Sequence, residues 1–491
     1  MAAPTPEPVL DLGAASPTLL VSLAIVTAAG LLALASLVKL PRSIMLFAGG
    51  VGAGLLAGSP RDALPPTLLL GLLLPPLLYS AAVRRSVELV RELAGPGLLL
   101  GAVLLVATAL AGAGAVAGLA PELGWAGAAL LGILASVSDT RLADELGHAD
   151  KVPRRIAEIL EAQSVVAPVL LLSAFLIISK AAGGAPPSAE TVLRTLLADW
   201  LGGAVLGLAL GFAVLRLRGA LDTAPIETAL SFATPFAAAA AAQLLGIAVV
   251  TPIIVAALVI NRGGIDRRTG ATNSSPEARV IARNFWREAA LLLSSLQFLL
   301  SGFALPGAVA ELGDTSLAMP ALLAAALLAA AQLAVALITP VGARGLRPRL
   351  VLAALPGRSA LALLIVLAIP ETGADGERFL ARDTVLVTVV LFVVGSVIVQ
   401  WLFLGPLLRR LGYDAPDPSA KEQAAAVDRA LAGADGRDAG AVAATRLRLL
   451  KLRRAGAIDD AAALDGQDRL DFARCARARL EGVEPQPAQS N

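Results

Sequence analysis

The stretch Leu130–Gly147, "LLGILASVSDTRLADELG", decides how this chain is read. It sets a carboxylate, Asp139, at the end of a run from Ala126 that hydrocarbon would accept, and no basic residue lies within eight residues upstream. A charge at membrane depth is costly and marks function by default. Two readings stand open. Either an apolar span ends near Val137 and Asp139 is an ordinary helix-end charge, or the Ser136–Thr140 segment is unwound inside the membrane. In the second reading, hydroxyls of Ser136, Ser138 and Thr140 satisfy the freed backbone groups.

The rest of the chain supplies the context. Of its 491 residues 57% are apolar and only 16% charged, with a mean hydropathy of +0.76; soluble domains carry about a quarter charged residues. Apolar runs long enough to cross a hydrocarbon core of about 30 Å recur from Thr18 to Leu408. They predict thirteen spans, at about 17–40, 43–58, 65–83, 95–120, 124–148, 155–179, 192–217, 225–247, 248–262, 284–305, 317–342, 350–370 and 380–408. With the N-terminus outside, the inner connections and the end of the last span hold 21 basic residues, among them Arg84, Arg85, Arg154, Arg155, Arg279 and Arg283. The outer connections hold only Arg61, Lys180, Arg194, Arg378 and Arg382. That alternation follows the positive-inside rule, which a miscounted span would scramble. The expectation is a multi-pass protein of the cell membrane, N-terminus outside and C-terminus cytoplasmic.

Residues 1–16 lack a basic leader region, so the first apolar run reads as a span and not a cleaved signal. From about Tyr413 the chain turns charged and alanine-rich, predicting a cytoplasmic tail of two or three short helices over 413–491. Its basic cluster, Arg446 to Arg454, reads as a solvated helix face, with contact to anionic lipid or to another part of the protein as the alternative. The single cysteine, Cys475, and single histidine, His148, offer no metal cluster. An enzyme would need His148 to act as a base beside Asp144, Glu145 and Asp150, with no nucleophile pattern or phosphate-cradling loop in support. No cofactor and no nucleic-acid partner is indicated.

Other polar residues fall within spans. Arg358 sits where Pro356 and Gly357 interrupt "LAALPGRSALALLIVLAIP" and needs carboxylate or carbonyl partners at that depth. Glu161, Gln163 and Ser164 open a span that contains Pro168, which frees a carbonyl; Glu161 either meets a facing basic group or favours the helix N-terminus. Arg287 and Glu288 read as an interface anchor or as part of a pathway, with Ser294, Ser295 and Gln297 deeper.

In order, "LGLLLPPLLYSAAVRRSVELVRELAGPGLLL", "LGILASVSDTRLADELGHADKVPRRIAEILEAQSVV", "FWREAALLLSSLQFLLSGFAL", "PGRSALALLIVLAIPETG" and "VLFVVGSVIVQWLFLGPLLRRLGY" resemble the monovalent cation:proton antiporters, the branch holding NhaP-type and NHE-type sodium/proton exchangers. The resemblance covers residues 17 to about 412. It implies an all-α polytopic membrane protein with about 13 transmembrane helices in inverted repeats, two of them crossed and unwound: the fifth span, with Asp139, and the twelfth, with Arg358. It also implies a homodimer in the lipid bilayer that exchanges sodium or potassium for protons.

The resemblance carries over unevenly. The family's Thr-Asp-Pro is Ser138-Asp139-Thr140, and the Asn-Asp that holds its main binding aspartate is Ala167-Pro168. Phe-Glu-Ala becomes Tyr79-Ser80-Ala81 and Phe-Trp-Glu becomes Phe285-Trp286-Arg287, while the arginine of the twelfth helix is kept as Arg358. The implied site is therefore Asp139 as titrating carboxylate and cation ligand, with Ser138, Thr140, Gln163 and Ser164 as its polar shell. Arg358 and Glu161 balance charge or hold the crossing. The alternative is an antiporter fold with an altered substrate or without exchange, acting as a uniporter or a regulatory membrane protein.

Overall fold

A computed structural model of the chain describes residues 17–57, 69–83, 96–139, 145, 154–181, 186–220, 223–263, 265, 268–270, 272, 274–312, 317–338, 346–354, 357–370, 381–413, 418–432 and 438–481. The membrane part is helical, as it must be where the backbone has no water to bond to. Its first helices are α1 (Pro17–Val38), α2 (Arg42–Ala57), α3 (Leu74–Val83, entered through a π turn at Leu69–Leu73), α4 (Pro96–Leu119) and α5 (Gly124–Ser136). A two-residue strand, β1 (Ser138–Asp139), precedes α6 (Arg154–Ala181), α7 (Ala189–Arg218), α8 (Ala224–Leu244), α9 (Val250–Gly263) and α10 (Pro276–Glu311). Then follow α11 (Ala318–Ile338), α12 (Leu346–Ala354), β2 (Gly357–Arg358), α13 (Ala360–Leu367) and α14 (Arg382–Arg410).

Each of the thirteen expected spans coincides with a helix, and the twelfth is divided into α12 and α13. Helices α1, α4, α7, α10 and α14 are each long and apolar enough to cross a membrane unaided. Burial ranks them. The apolar window of α14 is 67% buried and that of α1 only 11%, so α14 is a core helix and α1 faces outward.

The chain forms two compact units. The first comprises Met1–Leu74, Pro96–Thr195 and Leu291–Ala415. Within it α4 packs on α5, α6 and α11, and α14 packs on α5, α11 and α13. Helix α5 is held close to α4 because both present glycine at the contact. A Cβ on Gly132 would lie 2.6 Å from the Ala113 nitrogen, and one on Gly112 would lie 3.1 Å from the Gly132 Cα. Backbone-to-backbone contact of this kind is how helices associate in lipid, where no hydrophobic force separates them from solvent.

The second unit comprises Pro75–Gly95, Leu196–Ala290 and Pro416–Asn491. It contains α8 packed on α9, and three further helices, α15 (Pro418–Leu431), α16 (Ala439–Arg454) and α17 (Asp460–Glu481). These three share a core of Ala426, Val427, Ala430, Leu449, Ile458 and Ala463. The expected solvated basic face needs correction. Arg446 and Arg453 are buried, while Arg448, Lys451 and Arg454 are exposed. A face that packs on neighbouring helices cannot be wholly solvated.

Candidate functional site

Helix α5 stops at Ser136. Val137 is extended (φ −81°, ψ 121°) and 2% exposed, and the chain continues extended through Ser138 and Asp139. These two residues pair antiparallel with β2, Ser138 opposite Arg358 and Asp139 opposite Gly357. The pairing continues where the Ser359 amide donates to the Val137 carbonyl at 3.2 Å. Both readings of the opening stretch end a helix here, and the backbone from Val137 to Asp139 is extended. Its pairing is with other backbone. The freed amides and carbonyls satisfy one another across the break, while the Ser136 hydroxyl donates back to the Ile133 carbonyl at 2.7 Å.

Ser359 then starts α13. Its hydroxyl accepts from the Leu361 amide at 3.1 Å, an N-cap that fixes where the half-helix begins. Residues Ala360–Val366 are all buried. The C-terminal end of α5 and the N-terminal end of α13 therefore meet at the crossing, with partial negative and positive charge respectively. Helix α6 lies against β1 and α14 against β2. Two helix ends of opposite polarity around extended backbone form a surround that can take an ion or a titrating carboxylate, the general design of broken-helix transporters.

The structure places the backbones of Ser138, Asp139 and Arg358 together at this crossing. Their side chains, and those of Glu161, Gln163 and Ser164 on α6, lie outside the described residues, as do Thr140 and His148. Helix α6 runs through Pro168 without ending.

Several polar residues escape a reading of the sequence alone. Glu145 accepts from the Ser43 amide at 3.2 Å and from the Ser43 hydroxyl at 3.0 Å, so it caps the start of α2 from a distant part of the chain. A carboxylate is favoured at a helix N-terminus, but nothing local to Glu145 announces its partner. Gln297 on α10 is 0% exposed, and among the described residues neither its amide nitrogen nor its oxygen has a hydrogen-bond partner. The Thr388 hydroxyl on α14 is likewise buried without a partner among the described residues. Buried polar groups usually find partners, so these two mark interior places suited to water or an ion.

The two positions where the resemblance expects acids are Ser80 and Arg287, and the residues that precede them, Tyr79 and Trp286, meet in the second unit. The Tyr79 and Trp286 rings are 4.8 Å apart, and the Trp286 Nε1 donates to the Ser231 hydroxyl at 3.0 Å. Ser80 donates to the Leu77 carbonyl at 2.8 Å. Arg287 and Glu288 face outward, 67% and 59% exposed and 3.4 Å apart, the placement of an interface anchor.

Extended segments paired between the end of α5 and the start of α13, among long apolar helices, are the kind of arrangement that membrane transporters use. Residues 21–410 match the family model described as sodium/hydrogen exchanger, transmembrane, and the chain belongs to that family. It is 27% identical over 387 residues to an uncharacterized Na(+)/H(+) exchanger of Mycobacterium tuberculosis, covering 74% of this chain and 69% of that protein. With the Na(+)/H(+) antiporter NhaS2 of Synechocystis sp. it shares 27% identity over 276 residues, 54% of this chain and 47% of that one. The solved structure of the sodium proton antiporter MjNhaP1 from Methanocaldococcus jannaschii superposes with a TM-score of 0.61 at 16% identity, covering 80% of this chain and 98% of that chain. That likeness establishes the fold.

Proposed function

We propose that this chain is a secondary active transporter that exchanges sodium or potassium for protons, with no enzymatic step. The observation that carries the reading is the antiparallel pairing of Ser138–Asp139 with Gly357–Arg358, between the end of α5 and the start of α13, in a chain of the exchanger family. In this reading Asp139 binds either the cation or the proton. Exchange at one site requires such a group, titrating near the working pH. Ser138, Thr140, Gln163 and Ser164 complete its oxygen shell, hard ligands that suit an alkali cation. Arg358 offsets the charge across the pairing, and Glu161 lies on the helix that flanks it. The binding aspartate of the family pattern is Pro168 here, so Asp139 carries the titration alone.

The basic-residue asymmetry supports an orientation with the N-terminus outside and the C-terminus in the cytoplasm. Outward apolar faces such as that of α1 fit a homodimer within the bilayer. The test uses everted vesicles, in which sodium, potassium or lithium is added and the pH change is followed between about pH 6 and 9. Wild type is expected to release protons on cation addition and Asp139→Asn is expected to be silent. No cation-evoked change in wild type refutes the exchange reading, and an unaltered Asp139→Asn response refutes the site.

A further inference from the structure

The last carbonyls of a helix have no partner within it, and a membrane interior offers no water in their place. The broken twelfth span has two such ends, and both find donors on one neighbour, α14. Gln400, 6% exposed, donates through Nε2 to the Ala354 carbonyl at 3.2 Å, at the last residue of α12. Arg382 donates through Nε to the Ile369 carbonyl at 3.1 Å, just past the end of α13. Residues 382 and 400 of α14 are separated by about five helical turns, so the two donors lie on one face of it, roughly 27 Å apart along its axis.

That face runs along the break. Helix α14 packs on α12, β2 and α13, and all of them belong to the first compact unit, together with Asp139. The chemistry of the two donors differs with their place. Arg382 opens α14 beside Asp383, and a cation there suits the partial negative charge at the C-terminal end of α13. Gln400 stands at the end of α12 that leads into the crossing, where a fixed cation would oppose a transported one. An amide donates the bond without bringing a charge.

The strand β2 is thereby restrained on both sides. Antiparallel pairing holds Gly357 to Asp139 and Arg358 to Ser138. Directly after them, the Ser359 amide donates to the Val137 carbonyl and the Ser359 hydroxyl caps α13. Before them, Gln400 meets the carbonyl at which α12 stops. A helix end whose carbonyl is unmet is free to fray, and the register of a two-residue strand that follows it shifts with it. Side chains alternate along extended chain, so a slip of one residue would change what Asp139 faces.

We propose that Gln400 is a positioning residue for the exchange site, which by holding the end of α12 sets the register in which Gly357–Arg358 meets Ser138–Asp139. The proposal rests on the exchange reading above. Gln400 acts through the backbone of β2 and not on the cation itself. Apparent affinity falls with the fraction of molecules whose site is competent, whereas a saturated site still turns over. Loss of the bond therefore shows in the half-saturating cation concentration and not in the maximal rate.

The experiment uses the full chain and compares wild type with two variants. Gln400→Met keeps the length of the side chain and deletes the donor; Gln400→Asn keeps an amide that is one methylene short of the Ala354 carbonyl. Cation-evoked proton flux in proteoliposomes gives the half-saturating concentration and the maximal rate. The rise of the unfolding midpoint in detergent with added sodium or potassium gives a half-saturation independent of flux. Gly207→Ala in α7 is the control for destabilisation elsewhere. Both Gln400 variants should need up to about fivefold more cation by either readout, as one lost buried hydrogen bond implies, with the maximal rate kept. Gly207→Ala should leave the half-saturation where it is in wild type. Gln400→Asn carries the test if Gln400→Met does not insert. An unchanged half-saturation in the Gln400 variants, or an equal rise in Gly207→Ala, overturns the positioning role and leaves exchange standing. No cation-evoked flux in wild type overturns the exchange reading and the positioning role with it.

Discussion

Replacing Ser359 by alanine tests whether the crossing is held by a helix cap. Ser359 is 6% exposed, its hydroxyl is the acceptor for the Leu361 amide at 3.1 Å, and its own amide donates to Val137 across the break at 3.2 Å. Alanine keeps the second bond and deletes the first. Loss of an N-cap costs about 1 kcal/mol, and a buried amide left without an acceptor costs about 1–3 kcal/mol. The two descriptions overlap, so a net loss of about 2 kcal/mol is the working figure, roughly a 30-fold change in the population of an intact first turn of α13. Two assays read it. The unfolding midpoint in detergent should fall, and the half-saturating cation concentration for proton flux should rise several-fold, up to about 30-fold. Asparagine caps nearly as well as serine and should restore both. An alanine variant with an unchanged midpoint and unchanged half-saturation would refute the idea that this cap orders the crossing. If asparagine restores the midpoint but not the flux, the hydroxyl serves as a ligand and the cap argument fails as the account of function.

The other predictions concern packing and charge. In α7, a Cβ at Gly207 would lie 2.7 Å from both the Pro252 carbonyl oxygen and the Val255 Cβ, whereas nothing lies within 4 Å of one at Gly118 in α4. Overpacking of about 1–3 kcal/mol should outweigh the helix-propensity gain of about 1 kcal/mol, so Gly207→Ala should lower the unfolding midpoint and Gly118→Ala should not; equal midpoints would contradict the packing. Gln297→Leu removes a buried amide with no partner among the described residues and should raise the midpoint, by about 1 kcal/mol or more, while slowing exchange if the amide serves water or ion passage. A lowered midpoint would mean that the amide is paired in the working protein. Asp471 on α17 is buried, which alone would raise its carboxyl, but Arg279, Arg446 and Arg283 beside it, at 2.6, 2.6 and 2.8 Å, hold it below the ordinary carboxylate range, so its contribution to stability is present above the unfolded range and is lost only as pH falls through the folded value. The unfolding midpoint should therefore lose this contribution only below the ordinary carboxylate range, and an Asp471→Asn variant should lower the midpoint equally from about pH 5 to about pH 9; a loss near neutral pH would assign the effect to another group.

How much of this was legible follows from the distance over which each residue finds its partner. The spans could be read because hydrocarbon penalises polar groups along a continuous stretch of chain, and each of the thirteen expected segments contains helix, the fifth only over Gly124–Ser136 and the twelfth in two pieces. The break at Asp139 could be located but not interpreted, because its backbone partners, Gly357 and Arg358, lie over two hundred residues away. Only their pairing distinguishes an unwound segment from a helix end. The Arg446–Arg454 cluster was left between a solvated face and a contact with lipid or protein for the same reason, and it divides, Arg446 and Arg453 buried and Arg448, Lys451 and Arg454 exposed. A basic helix face looks solvated until Asp471 and the start of α10 are brought to it. One local sign was nevertheless present. Arg279 and Arg283 stand in the first two turns of a helix whose dipole disfavours them, and Pro276 and Glu277 mark where that helix begins. A charge of the wrong sign for its helix end asks for a distant counter-charge, and Asp471 supplies it, but acids with distant partners stand elsewhere too, Glu145 and Glu227 among them, so the pairing is a property of the folded chain and not of the local sequence.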